Sequence, residues 1–273
     1  MKKLFLILMS TIAFSVNAQE RQHTAAANVK VIDTPLHFPR LERERQIRIY
    51  LPPNYSSTKK KYEVLYMHDG QNLFDDATSF VGEWGVDEVL NEMYQEHGLE
   101  LIVVGIDNGQ EHRMQEMAGW DHERFGKAEG KEYMEFITKV VKPYVDQKYR
   151  TLPSWENTGI MGSSMGGLIS HYAMFQYAGY FSKAGIFSPS YWYGEGPFEQ
   201  VKNLKLYPEA KLYLYMGGAE GPMMVDNFNK MVELLKAKGY ADQMKSKITE
   251  KGEHNERFWR AELKEALLWL YAK

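Results

Sequence analysis

Thr158-Gly159-Ile160-Met161-Gly162-Ser163-Ser164-Met165-Gly166-Gly167-Leu168-Ile169 is the stretch on which the fold turns. Thr158 to Met161 suits a short buried strand, and a glycine-rich turn follows it. From about Met165 to Tyr177, Leu168, Ile169, Tyr172 and Ala173 give an apolar stripe at helical spacing. A strand that runs straight into a helix through Gly162-Ser163-Ser164-Met165-Gly166 has the form of a nucleophile elbow. There the serine holds a strained backbone conformation, and the residues two places away must be small so that strand and helix can close up. Gly162 and Gly166 fill those places; Ser163 has no such pair of flanking glycines. A hydroxyl attacks at neutral pH only from an exposed position beside a base, so Ser164 is the candidate nucleophile. The Met165 N–H, at the helix N-terminus, is the first candidate oxyanion donor. A flexible glycine loop is the bland alternative, and the flanking strand and helix weigh against it.

Outward from this turn, strands and helices alternate. Strands are expected at Gln46–Leu51, Tyr62–Met67, Leu101–Ile106, Ala184–Phe187, Leu212–Met216 and Met244–Thr249. Helices are expected at Trp84–Tyr94, Glu132–Tyr149, Phe228–Lys238 (stopped by Gly239) and Glu256–Tyr271. The pattern predicts an α/β fold, a mostly parallel central sheet with helices on both faces. No repeat, linker or low-complexity tract interrupts it.

In such a fold the catalytic partners follow the serine in the order acid, then histidine. Of eight histidines, His23 falls in a polar lead (Gln19 to Asn28), and His37, His97, His112 and His122 precede the serine. His171 sits on the helix after the elbow. His254, in Gly252-Glu253-His254-Asn255-Glu256, lies in a loop after the last expected strand and is the candidate base. The acid belongs in the loop after Leu212–Met216, where Glu220 comes first and Asp226 second. Glu220 is the choice, to orient the imidazole and stabilise its cation. The second oxyanion donor belongs after an earlier strand, which puts His68-Asp69-Gly70-Gln71 beside the elbow and selects the Gln71 N–H. No metal site is expected: His68 and Asp69 have no second ligand cluster at metal spacing.

The chain has 273 residues, 44% hydrophobic, 14% aromatic and 25% charged, the composition of a globular protein. Lys2 and Lys3, an apolar run from Leu4 to Val16, and Val16-Asn17-Ala18 read as an export signal cleaved after Ala18. Residues 1–18 are then the signal and 19–273 one domain, periplasmic or secreted, with no membrane contact after cleavage. With no cysteine, disulfides, thiolate metal sites and lipidation on a Cys after the signal are excluded. A net charge of −3 and no basic block beyond Lys59–Lys61 exclude a nucleic-acid partner.

These motifs together resemble the Putative esterase family, α/β-hydrolases that include esterase D, bacterial feruloyl esterases and enterochelin-type siderophore esterases. The resemblance rests on Arg48-Ile49-Tyr50-Leu51-Pro52-Pro53, Tyr66-Met67-His68-Asp69-Gly70-Gln71-Asn72-Leu73-Phe74 and Gly105-Ile106-Asp107-Asn108-Gly109. It extends to Gly162–Gly167, Phe187-Ser188-Pro189-Ser190-Tyr191-Trp192, and His254 with Trp259. It implies hydrolysis of a carboxylic ester through an acyl-serine, without cofactor, with Ser164 as nucleophile and His254 as base. Glu220 stands where many relatives carry aspartate. Some siderophore esterases are thought to use a Ser-His dyad, which would leave Glu220 idle.

For substrate, Tyr191, Trp192 and Tyr193 follow an expected strand end and offer stacking surfaces for an aromatic acyl group or a sugar; core packing is the alternative. Arg113 is the candidate for an anionic or catecholate group, with a plain surface arginine as the alternative. The leading expectation is an exported esterase acting on acylated carbohydrate or small aromatic esters. A siderophore trilactone esterase is the second reading. A non-catalytic binding protein on the same fold is the third, and the retained Ser164 and His254 weigh against it.

Overall fold

Strand β5 (Glu63–His68) shows how the core is divided. Val64 and Tyr66 pack into one apolar cluster with Ile160 and Ile169. Leu65 and Met67, pointing the other way, join a second cluster with Leu263 and Leu267. Successive side chains on a strand face opposite sides, so a continuous apolar run is what a strand covered on both faces requires.

The computed structural model describes residues 21–271; the expected export signal, residues 1–18, lies outside the described residues. Ten strands are described: β1 (Val29–Val31), β2 (Leu36–Phe38), β3 (Arg43–Arg45), β4 (Ile47–Tyr50), β5, β6 (Leu101–Ile106), β7 (Thr158–Ser163), β8 (Lys183–Phe187), β9 (Lys211–Gly217) and β10 (Met244–Thr249). Eight form one sheet in the order β1-β4-β6-β5-β7-β8-β9-β10, and β2 pairs with β3 as a separate ribbon. The β1–β4 and β4–β6 pairs are antiparallel, and all other pairs in the large sheet are parallel. The helices are α1 (Val86–His97), α2 (Arg113–Glu116), α3 (Gly130–Phe136), α4 (Lys142–Lys148), α5 (Met165–Gln176), α6 (Gly196–Asn203), α7 (Pro222–Ala237) and α8 (Glu256–Tyr271). Helices α3 to α7 cover one face, and α1 and α8 the other. This is the α/β-hydrolase fold, as the alternation of elements predicts.

The differences from the sequence reading have local causes. The helix expected over 132–149 is broken by a wide turn at Ile137–Val141, where the Lys142 N–H reaches the Ile137 carbonyl. Pro143 follows and can neither donate to the ladder nor tolerate the carbonyl one turn back, which a widened turn relieves. Helix α7 starts six residues before the expected Phe228, because Gly221 (φ +99°) and Pro222 form its entry. Its first turn is only half buried, with Met224 and Val225 against the core and Met223 exposed, so no clean apolar period marks it. Helix α6, strand β1 and the β2–β3 ribbon are too short to carry a period and went unread.

The polar lead is tied to the body of the protein. The Thr24 N–H bonds Asp75 Oδ1 at 3.1 Å, and His23 Nδ1 meets Asp75 Oδ2 at 2.8 Å. Arg21 donates to the carbonyls of Ser79 and Phe80 at 2.7 and 3.1 Å. Residues 21–26 are therefore a strap across the loop at 75–80.

Parallel strands β5, β7, β8, β9 and β10 end at His68, Ser163, Phe187, Gly217 and Thr249, all on one edge of the sheet. Chain growth reverses direction between β5 and β7, and a crevice opens at such a switch point beyond the carboxyl ends of the strands.

Candidate active site

The β7–α5 turn has the geometry the sequence asks for. Ser164 sits at φ 57°, ψ −120°, a region L-residues rarely occupy. Its N–H is held by the Phe187 carbonyl at 2.9 Å, and its carbonyl accepts the Leu168 and Ser190 N–H groups. A Cβ on Gly162 would come within 2.8 Å of the Gly166 backbone, and one on Gly167 within 2.8 Å of the Phe187 carbonyl oxygen. Only glycine permits this closure. The Ser164 hydroxyl lies 3.4 Å from that of Ser190. Ser163 is buried in the cavity wall nearby.

Ser164 and His254 line one cavity of about 600 Å³ at the carboxyl edge of the sheet. His254 Nδ1 is 2.6 Å from Glu220 Oε2. The Glu220 side chain is 1% exposed. Its Oε1 accepts the Gly217 N–H at 2.9 Å and the Ser188 hydroxyl. Ser188 Oγ in turn accepts the Trp259 indole N–H at 2.9 Å. Trp259 also meets the His254 ring edge to face, centroids 5.0 Å apart. A chain of hydrogen bonds thus runs from Trp259 through Ser188 and Glu220 to the imidazole. Asp226, the other acid weighed from sequence, is exposed on α7, away from the imidazole's hydrogen bonds.

Ser188 and Trp259 belong to the sequence motifs that carry the family resemblance, which assign them no role. Ser188 stands at φ 42°, a further strained non-glycine residue. That conformation places its hydroxyl between the indole and the carboxylate.

On the opposite wall, Gln71 lines the cavity, and its side-chain Oε1 accepts the Asn108 N–H at 3.1 Å. Its backbone belongs to the short turn Gly70–Asn72. That turn is pressed against β6, since a Cβ on Gly70 would come within 2.7 Å of the Gly105 backbone. Met165 opens α5, and a helix's first N–H groups have no acceptor within the helix.

Asp69 (φ 56°) is clamped by Arg113, Nε to Oδ1 at 2.6 Å and Nη2 to Oδ2 at 2.8 Å, and by Asn108 Nδ2 at 2.6 Å. Burial alone would raise this carboxyl, but Arg113 and Asn108 outweigh it and hold it below the usual range. His68 is buried with Nδ1 2.9 Å from the Tyr133 hydroxyl, and burial lowers it to about 4, so its ring is neutral. With both Asp69 oxygens engaged, the His68–Asp69 pair is not arranged as metal ligands. Glu256 at the start of α8 completes this side, its carboxyl pushed up by burial and by the nearby Asp69.

The aromatic residues expected at the substrate require correction. Tyr191 is 1% exposed, and its hydroxyl lies 3.0 Å from His171 Nδ1 inside the core. Trp192 packs against Phe125 (6.1 Å between centroids) and Tyr193 (6.0 Å) and does not line the cavity. The loop after β8 carries Tyr191 into the core and Trp192 onto Phe125, directions periodicity cannot supply. The aromatics that do line the cavity are Phe80, Trp84 and Trp259. Arg113 reaches the wall as expected, but its guanidinium is engaged by Asp69.

Comparison with known proteins accords with this geometry. The model of the Putative esterase family matches residues 39–270. The uncharacterized protein YbbA of Bacillus subtilis (strain 168) is 29% identical over 245 residues, covering 84% of this chain and 93% of that protein. A ferulic acid esterase structure superposes with a TM-score of 0.65 at 18% identity, over 89% of this chain and 98% of that one. Enterochelin esterase from Shigella flexneri superposes with a TM-score of 0.73 at 18% identity. That match covers 91% of this chain and 59% of the esterase.

Proposed function

The chain belongs to the Putative esterase family and is a carboxylic ester hydrolase, and from that premise we propose that it cleaves a neutral ester through an acyl-Ser164 intermediate. Glu220 accepts the Nδ1–H of His254 and fixes the tautomer whose Nε2 is the base. As Ser164 Oγ attacks the ester carbonyl, Nε2 takes the hydroxyl proton, and Glu220 stabilises the imidazolium. The carbonyl oxygen becomes an oxyanion held by the Met165 and Gln71 N–H groups; losing one such donor costs ~2.7–4 kcal/mol in the barrier. The intermediate collapses with scission of the C–O bond, and the alcohol leaves with the proton from His254. Water, deprotonated by His254, then attacks the acyl-enzyme and releases the acid and free Ser164. No cofactor takes part.

The charge of the wall carries the choice of substrate. Among the described residues, Arg113 is the one Arg or Lys lining the cavity, and Asp69 neutralises it. Glu256 adds a carboxyl to the same wall. A polyanionic catecholate siderophore would meet no unpaired cation, whereas a neutral sugar ester would meet Asn72, Asn108 and Gln110 for its hydroxyls. Trp84 and Phe80 would take an aromatic acyl group. A feruloylated or acetylated carbohydrate is therefore favoured over an enterochelin-type trilactone. The basic and apolar leader supports action in the periplasm or outside the cell.

The reading is tested by labelling with a fluorophosphonate and by turnover of p-nitrophenyl acetate. Both signals should vanish in Ser164→Ala, and persistent labelling would overturn the assignment. Feruloylated and acetylated sugars should be hydrolysed at higher kcat/KM than a ferric catecholate trilactone. The reverse order would restore the siderophore reading.

A further inference from the structure

Away from the cavity, at the start of α1, Glu83, Asp87 and Glu88 bring three carboxylates together. One oxygen from each lies within 4.8 Å of the other two. Glu88 is exposed, but Asp87 has no accessible surface. Asp87 Oδ2 accepts the Ala26 N–H at 2.7 Å. Its Oδ1 is buried and, among the described residues, has no hydrogen-bond partner, and Glu83 Oε2 is in the same state. Compensating charge is thin: Arg260 Nη2 stands 3.5 Å from the Glu83 carboxylate, and its Nε is taken by the Trp84 carbonyl at 2.6 Å. Two buried, unpartnered carboxylate oxygens inside a like-charged cluster call for positive charge to replace their lost hydration.

We propose that Glu83, Asp87 and Glu88 bind a hard divalent cation, Ca²⁺ in preference to Mg²⁺, which fastens the cavity-rim loop at 75–85 to the start of α1. All the donors are oxygen, as both ions require. The set mixes one exposed and two partly or wholly buried carboxylates from a sharp turn, with Gly85 at φ 62° between them. Ca²⁺ accepts such irregular geometry, while Mg²⁺ demands a near-ideal octahedron. Glu83 directly precedes Trp84 and follows Phe80 and Val81, three residues of the cavity wall. A cation here would order that wall from behind and touch no reacting atom.

The test uses the mature protein, stripped with chelator and then titrated with CaCl₂ or MgCl₂. At pH 8 and about a hundredfold excess over Kd, Ca²⁺ should raise Tm by roughly 5–10 °C. Calorimetric titration should give one site per chain. Glu88→Gln, at an exposed position that leaves folding intact, should abolish the Ca²⁺ response, as should Asp87→Asn. A folded wild-type protein with no Ca²⁺-dependent rise at pH 8 overturns the proposal, and so does a rise retained by both variants.

Discussion

Two buried carboxylates in this molecule meet opposite circumstances. Glu220 is taken out of water with every demand met: a backbone N–H, a serine hydroxyl and an imidazole engage its two oxygens. Asp87 is equally buried, yet among the described residues one of its oxygens has no partner, and two more carboxylates stand beside it. Burying a charge is costly unless hydrogen bonds or an opposite charge replace its hydration. At Glu220 the protein supplies that replacement from three elements. At Asp87 it leaves it to be supplied from outside, by a proton or by a cation. The first arrangement is complete within the protein, and the second responds to conditions.

The contrast can be broken at several points. Replacing Glu220 by Gln removes the charge that stabilises the imidazolium and should lower kcat by about 10³–10⁴-fold with little change in KM. Asp226→Asn should leave both constants within twofold, and a larger loss in Asp226→Asn than in Glu220→Gln, read from steady-state kinetics, would reassign the acid.

Arg113→Met leaves Asp69 buried without its cation. Because the pair is partly screened, the loss should be about 3 kcal/mol of stability, seen as a lower urea midpoint. Wild-type stability after the change would mean that water reaches Asp69 freely.

Ser188→Ala deprives Glu220 of one donor and the Trp259 indole of its acceptor. A lost hydrogen bond to a charged group should reduce kcat about tenfold or somewhat more. The pH–rate profile should change with it, since Glu220 holds His254 less firmly. A fall in Tm with an unchanged profile would make Ser188 a packing residue only.

The smallest effect belongs to Asp87→Asn in chelator. The folded-state pKa of Asp87 is raised, so the folded form binds a proton more tightly than the unfolded chain. Its contribution is therefore most favourable below pH 4 and is lost as pH rises toward 7. Asn carries no such dependence. The variant should gain on wild type as pH increases from 4 to 8 in thermal unfolding, and parallel curves would remove the titration of Asp87 from the account.

What sequence disclosed follows the same division. Ser164 was legible because strand, glycine spacing and helix are local signals, and the glycine contacts bear that spacing out in detail. His254 and Glu220 were selected by chain order and strand ends, and the structure brings their side chains together. Tyr191 and Trp192 misled because an aromatic after a strand end looks the same whether its loop turns toward the cavity or under it. Ser188 had no legible role, because its task depends on a positive φ and on partners 32 and 71 residues away in the chain. The rim at 75–83 has neither period nor motif, so Phe80 and Glu83 carry no signal, while Trp84, Asp87 and Glu88 are legible only as the start of a helix.

The strap at residues 21–26 has a practical side. Its anchors, Arg21 on the Ser79 and Phe80 carbonyls, put the start of the described chain at the mouth of the cavity. The other terminus is remote: the Tyr271 hydroxyl meets the Val64 carbonyl near the opposite, amino-terminal edge of the sheet. A purification handle fused ahead of the strap would crowd incoming substrate, whereas one placed after α8 would trail from the far side.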